Sequence, residues 1–260
     1  MSDNVRRFHA VRTALTQYYA PSGSKRLHRH LNTLAGLVKG LVATGSAHLP
    51  KVAQKAPDQT KAESRVKRFT RFIQNERITF ETFFLPFAQE LIATLASRQP
   101  LLVVFDGSAL GRGCATLMAS VVYGKRALPI AWIVKRGKKG HFSAQDHLLL
   151  FEQVRRMVPQ GADVIFLGDG EFDSVALQQA LDQAGWHYVC RTSVSTLIDD
   201  GCTRCAIGAL AGESFLSVPG VSVTEALYGP VHLVVWHERR YVEPLYLVTN
   251  LDLAEEACHW

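Results

Sequence analysis

Leu101-Leu102-Val103-Val104-Phe105-Asp106-Gly107-Ser108 and Val164-Ile165-Phe166-Leu167-Gly168-Asp169-Gly170-Glu171 decide how this chain reads. Each is an apolar run closed by an aspartate and then a glycine. Such a run predicts a buried strand that finishes on a carboxylate at a sheet rim, with backbone room for a ligand. Two such rims in one sheet bring their carboxylates together, and like charges held that close repel unless a cation lies between them. The chemistry indicated is metal-ion chemistry on a phosphate ester.

Downstream of the first aspartate the period stays that of strands. Residues 115–123 and 127–134 form a predicted pair joined by Gly124-Lys125-Arg126, a hairpin signal. The basic loop Lys135-Arg136-Gly137-Lys138-Lys139-Gly140 has cations and flexible glycines suited to phosphate contact, or to a solvated loop. A helix follows over 143–157 with Ser143 as its N-cap. Next come the second aspartate strand, a helix over 173–184 with Asp173 as cap, and a strand over 186–191. His141 and His147 flank Asp146 and suit a capping or surface role, while Trp132, Trp186 and Trp236 lie in apolar runs and read as core. The expected α/β architecture is a mixed sheet, three antiparallel strands followed by parallel crossovers. Residues 192–250 revert to short β runs at 215–218, 231–237 and 245–249.

Upstream, the pattern is helical. Leu27, Leu31, Leu34, Leu37, Val38, Leu41 and Val42 keep helical spacing, and a break is expected over 45–57. In the helix over 61–75, Val66, Phe69, Phe72 and Ile73 form one face. Lys67, Arg68 and Arg71 gather opposite, with Arg65 at the border. That face suits a helix laid along a phosphate backbone, and equally a solvated amphipathic helix. A further helix spans about 80–96. Residues 1–100 hold 16 Lys/Arg against 6 Asp/Glu, whereas the remaining 160 hold 13 against 17. A basic region that grips a polyanion is thus joined to a body centred on acids.

The 260 residues, 47% of them hydrophobic, suffice for a full core. No apolar run approaches the roughly 18 residues of a membrane span. The N-terminus lacks the apolar stretch of a signal peptide. Five cysteines without framework spacing point to a reducing compartment. Cys202-x2-Cys205 is half a zinc-knuckle spacing with no second pair.

The strand order, with aspartates closing the first and fourth strands, resembles the RNase H-like core of DDE transposases. The closer likeness is to bacterial insertion-sequence transposases that carry a β-rich insertion before the last catalytic helix. The residues that carry it are Phe105-Asp106-Gly107-Ser108, Leu167-Gly168-Asp169-Gly170-Glu171-Phe172-Asp173, the hairpin from Val121 to Ile130, and Tyr246-Leu247-Val248-Thr249-Asn250. The resemblance implies a helical DNA-binding region over 1–99 and a catalytic core over 100–191. It further implies an insertion over 192–250 that contacts transposon ends, and the start of the final helix over 251–260.

It also implies Mg²⁺ or Mn²⁺ held by Asp106 and Asp169, in-line phosphodiester displacement, and double-stranded DNA as partner, both as inverted-repeat ends and as target. A homodimer on DNA and a cytoplasmic, nucleoid-associated location follow from the same resemblance, with no membrane. The family's third acid is a glutamate within Tyr-x2-Arg-x3-Glu-x6-Lys, which this sequence lacks; Glu255 and Glu256 are stand-ins by composition only. The simplest expectation is a transposase cut short and inactive alone. The alternatives are a complete RNase H-like nuclease that uses Asp106, Asp169 and Glu171, and a non-catalytic DNA-binding module or inhibitor.

Overall fold

In the computed structural model, which describes residues 3–19, 24–58, 60–137, 140, 142–210, 215–237 and 243–252, helical spacing upstream becomes a set of short helices. They are α1 (Asp3–Gln17), α2 (Lys25–Thr44), α3 (Leu49–Gln54), α4 (Ala62–Ile73), α5 (Phe80–Phe83) and α6 (Leu85–Ala96). The Ser24 hydroxyl accepts from the Leu27 amide to start α2, and Gly45, in the left-handed region at φ 58°, ends it. The expected break over 45–57 instead holds α3. Pro50 lies in its first turn, where a missing N–H costs nothing. The expected helix over 80–96 divides at Phe84, just before Pro86, which has no N–H to give.

The chain divides into two compact units, Met1–Phe87 and Ala88–Trp260. In the first, Leu37, Val52, Ala53, Phe69 and Phe72 pack into one core. Val42, at the end of the apolar stripe on α2, is 76% exposed. Lys39 is buried instead, and its ammonium donates to the Lys55 carbonyl at the end of α3. Burial pulls its pKa below the usual lysine value.

The second unit is built on one ten-stranded sheet, in the order β3-β2-β1-β4-β5-β10-β9-β8-β6-β7. Its strands are β1 (Leu101–Gly111), β2 (Cys114–Tyr123), β3 (Arg126–Arg136), β4 (Val164–Gly168), β5 (His187–Arg191), β6 (Leu197–Asp199), β7 (Arg204–Ala206), β8 (Phe215–Val223), β9 (Tyr228–Trp236) and β10 (Leu245–Thr249). The strands β1, β2 and β3 are antiparallel, and β1–β4 and β4–β5 are parallel. Residues 192–250 do not stand apart from this sheet: β10 pairs with β5 on one side and β9 on the other, and so carries the later strands into it.

One face of the sheet is covered by α7 (Ala144–Arg155) and α8 (Val175–Gln183). Phe105, Phe166 and Phe172 meet edge-to-face beneath them, with Phe105–Phe166 ring centroids 4.9 Å apart. The opposite face carries Ile165, Val189, Val234, Leu247 and Leu251, with half-buried Leu102 and Leu167 against them. Asn250 locks the end of β10 to β5 and α8: its side chain accepts from the Tyr188 amide at 2.8 Å and donates to Asp182 at 2.6 Å. Among the described residues no helix is long and apolar enough to cross a membrane.

Candidate active site

Parallel pairing of β1 with β4 sets Leu102 opposite Ile165 and Val104 opposite Leu167. Two residues further on each strand come Asp106 and Asp169, so the same offset places the two aspartates opposite one another. Strand alternation turns Leu102, Val104 and Asp106 to one face, whereas Asp169 lies just past the end of β4, in the turn that leads to α8. Both aspartates are exposed. Asp106 does not end its strand, as the sequence pattern predicts. The β1–β2 ladder runs on through Gly107 and Ser108, because Leu117 and Thr116 on β2 continue to pair with them. Asp106 is still the rim of β1 toward β4, where the parallel ladder stops.

Each carboxylate is oriented by the residue two positions after it. The Ser108 hydroxyl donates to Asp106 Oδ2 at 2.9 Å. The Glu171 amide donates to Asp169 Oδ1 at 3.0 Å, closing an Asx turn after β4. Phe172 then folds back against the aromatic cluster and anchors the turn. The Glu171 carboxylate reaches across to β1: a Cβ built on Gly107 would lie 3.2 Å from Glu171 Oε2. Glycine at 107 therefore makes the seat for that side chain.

Two expectations are corrected beside this turn. Ser174, not Asp173, caps α8, its hydroxyl accepting from the Leu177 amide. Asp173 turns inward and accepts from the Thr192 hydroxyl at 2.9 Å, and burial raises its pKa above the usual carboxylate range. His147 is not a surface residue. It is 3% exposed on the inner face of α7, with its ring centroid 4.8 Å from that of Phe172 and Nε2 4.0 Å from Glu171 Oε1. Among the described residues neither ring nitrogen has a hydrogen-bond partner. The apolar stripe 147, 150, 151 and 154 on α7 carries the signal for that burial. His141 lies outside the described residues.

The basic residues fall into two groups. On β3, the Lys135 ammonium is paired with Asp146 in the capping box of α7, where Ser143 and Asp146 bond each other's backbone. The Lys135 hydrogen bond, joined by bonds from Ser143 and opposed by burial, holds the Asp146 carboxyl below its ordinary pKa. Arg136 is exposed at the strand end, and Lys138 and Lys139 lie outside the described residues. On α4, Arg65 donates to the Ala56 carbonyl at 2.9 Å and has a side chain only 15% exposed, which makes it a brace. Arg68 pairs with Asp58 at 2.5 Å. Lys67 and Arg71 are exposed and line a groove of about 540 Å³ with Arg26 and Arg29 from α2. Sequence reading missed the α2 wall, although α2 contains no Asp or Glu.

Carboxylate oxygens are hard donors that suit Mg²⁺ or Mn²⁺. Among the described residues no cluster of three or more His, Cys, Asp or Glu is gathered as a metal cage. Two oriented aspartates on an exposed rim still fit Mg²⁺, which keeps several waters and takes one or two carboxylates plus substrate phosphate oxygens. Glu255 and Glu256 lie outside the described residues.

No protein-family model matches the chain, and no curated protein matches it in sequence. Among solved structures, 96% of the chain aligns with a piggyBac transposase in a synaptic complex with hairpin DNA, at 12% identity and TM-score 0.46. The chain spans 58% of that transposase's length. Endonuclease V of Ciona intestinalis, in complex with a 24mer DNA containing an inosine followed by a ribo-adenosine, aligns over 63% of this chain and 76% of its own, at 13% identity and TM-score 0.32. Human endonuclease V aligns over 66% of this chain and 86% of its own, at 14% identity and TM-score 0.31.

Proposed function

We propose that this chain is a DNA-processing protein of the DDE transposase type, in which Asp106 and Asp169 hold a divalent cation against a phosphodiester and the helical unit grips duplex DNA. The observation that carries the reading is the β1–β4 register, whose continuation two residues past Val104 and Leu167 would set Asp106 and Asp169 side by side at one end of the sheet. The order β3-β2-β1-β4-β5, antiparallel and then parallel, is that of an RNase H-like core and supports the same reading. The groove between α2 and α4, with cations on both walls, suits a phosphate backbone.

When bound, Mg²⁺ or Mn²⁺ supplies Lewis-acid polarisation of the phosphoryl oxygen and a more acidic bound water. The chain's own residues supply position. Ser108 holds the Asp106 carboxylate and the Glu171 amide holds that of Asp169. Two aspartates alone hold an ion loosely, and misplacement of about 1 Å can cost roughly 100-fold in rate. With these two acids the chain binds DNA and, weakly, divalent ions but does not transpose alone; paired transposon ends would engage it as a homodimer. In a second reading, Glu171, whose amide bonds Asp169 two residues before it in the same turn, is the third acid of a complete nuclease.

The test is Mn²⁺ binding followed by electron paramagnetic resonance, alongside nicking of supercoiled DNA. Asp106→Ala and Asp169→Ala are expected to lose Mn²⁺ binding while still binding DNA. Unchanged Mn²⁺ binding in the double variant overturns the reading and leaves a non-catalytic DNA-binding module or inhibitor. Glu171→Gln separates the two readings, since only the nuclease needs that carboxylate for nicking.

A further inference from the structure

Past Val104 the strand β1 has no parallel partner, yet it runs on to Gly111 because β2 continues to pair with it. The outer strand β3 keeps pace: Arg136 pairs with Cys114, and the Gly137 amide donates to the Gly113 carbonyl at 2.9 Å. The three strands therefore project past the Asp106 row as a tongue. From Met118, the partner of Asp106, to Cys114 is four residues of β2, or about 14 Å at strand rise. The tip is exposed over 109–113 on one side and 134–137 on the other. Leu110, beside the irregularity that ends the β1–β2 ladder, is 56% exposed. Trp132 on β3, expected in the core, is 40% exposed at this edge of the sheet.

Charge sets the tongue apart from the rest of its unit. Residues 107–145 hold seven Lys/Arg and no Asp or Glu, whereas residues 101–106 and 146–260 together hold six Lys/Arg against 17 Asp/Glu. Protection of an edge strand explains part of this, since cations and Pro129 on β3 discourage pairing with another chain. Lys135 is tied to Asp146. Neither account covers Arg112, which lies in the β1–β2 turn and off the open edge. Both central residues of that turn have positive φ, 54° at Arg112 and 71° at Gly113. Asn, Asp or Gly is favoured at the first of these positions, so arginine stands there against its backbone preference. Strain kept at an exposed tip beside a candidate site points to a contact made by the side chain. Among the described residues neither Arg112 nor Arg136 has an acidic partner.

We propose that this tongue is a second phosphate-binding surface for duplex DNA, separate from the groove between α2 and α4, in which Arg112 and Arg136 hold the backbone of the strand whose phosphodiester faces Asp106 and Asp169. The proposal rests on the aspartate reading for the identity of that phosphodiester. At about 3.4 Å per nucleotide along the axis, the tip meets phosphates roughly four nucleotides from the rim. Such contacts fix the position of the duplex and carry no sequence preference. They also draw a polyanion to a unit whose remaining charge is acidic and repels it.

The experiment uses the full chain without divalent ions, so that cleavage does not intervene, and titrates a labelled duplex of arbitrary sequence at several salt concentrations. Arg112→Asn removes the charge and keeps the turn, because Asn accepts a positive φ. Loss of one phosphate contact should lower the salt slope by about 0.9 and weaken binding about eightfold at roughly 0.1 M salt. Arg136→Ala should do the same, and Arg112→Lys should keep most of the slope and affinity. Lys125→Ala removes an equal charge from the hairpin at the opposite end of β2 and β3, and should leave the slope as it was. An unchanged slope and affinity in the Arg112→Asn, Arg136→Ala double variant overturn the proposal. An equal fall in Lys125→Ala overturns it as well, since a diffuse field and not a contact at the tip would then attract the DNA. So does weaker binding in Arg112→Asn that comes with a lowered melting temperature and is not restored in Arg112→Lys, the mark of a purely structural turn. Mn²⁺ binding in Asp106→Ala is read separately, so the aspartate reading and the tongue fail independently.

Discussion

His147 shows what a single buried side chain can do to the pH behaviour of this molecule. It lies on the inner face of α7 with no hydrogen bond to either ring nitrogen among the described residues and with Phe172 against its ring. Burial disfavours the imidazolium and pulls the pKa below the ordinary histidine value, while the charges of Asp146 and Asp169 oppose part of that pull. In the unfolded chain the group returns to about 6.5. Below that value the unfolded state binds the extra proton and the folded state resists it, so stability rises with pH across this interval. The contribution is complete above about pH 6.5 and is lost as pH falls from there toward the depressed folded value. The melting temperature of the parent should therefore drop more between pH 7.5 and pH 5.5 than that of His147→Phe. Equal drops in the two proteins would remove His147 as the responsible group.

At the scale of elements, the turn after β4 holds its aspartate by packing as much as by hydrogen bonding. A Cβ on Gly168 would lie 2.9 Å from Phe172 Cβ, 3.0 Å from the Phe166 ring and 3.3 Å from Cys190 Sγ. None of these is the loose end of a flexible chain. Gly168→Ala should cost roughly 1–3 kcal/mol, the usual penalty for overpacking, and displace Phe172 with the Asp169 turn it anchors. Chemical denaturation together with Mn²⁺ affinity checks both halves; full stability with normal Mn²⁺ binding would show that the turn relaxes freely. Local chemistry made some of these elements readable in advance. Ser143 at the start of α7 and the Gly124 hairpin are decided within a few residues, and the chain obeys them. The length of β1 was not readable, because Gly107-Ser108-Ala109 is a weak strand former that β2 keeps in the ladder from a distance. The later strands followed the same rule: their β character was visible, but β10 inserting beside β5 depends on pairings about sixty residues apart in sequence, which no local pattern encodes. Trp132 failed for a further reason, since an apolar run reads as core whether its strand is central or, as β3 is, at the edge of the sheet.

The charge of the whole molecule is divided as its two kinds of chemistry require. Residues 1–100 carry a balance of +10 and the remainder a balance of −4, so the basic excess lies in the helical part. Not every cation there contributes to a binding surface. Arg65 and Arg68 are tied to Asp58, whose carboxyl is pushed up by burial but held below its ordinary pKa by the Thr60 and Arg68 hydrogen bonds. Arg26, Arg29, Lys67 and Arg71 line the groove between α2 and α4, and among the described residues no acid joins them there. A cation that neutralises a phosphate releases a counterion, and the logarithm of affinity then falls with the logarithm of salt by about 0.9 per contact. Lys67→Ala and Arg71→Ala should each weaken duplex binding across all sequences and lower that slope by nearly one. Arg26→Ala should do the same, although the sequence reading singled out only the apolar stripe of its helix and not its basic side. Arg65→Ala should behave oppositely: the protein loses stability because the Ala56 carbonyl loses its donor and Asp58 an ion-pair partner, while the salt slope stays as it was. Titrations of labelled duplex at several salt concentrations, paired with thermal melts, distinguish the two behaviours. A groove triple variant with an unchanged slope would show that the phosphate backbone lies elsewhere.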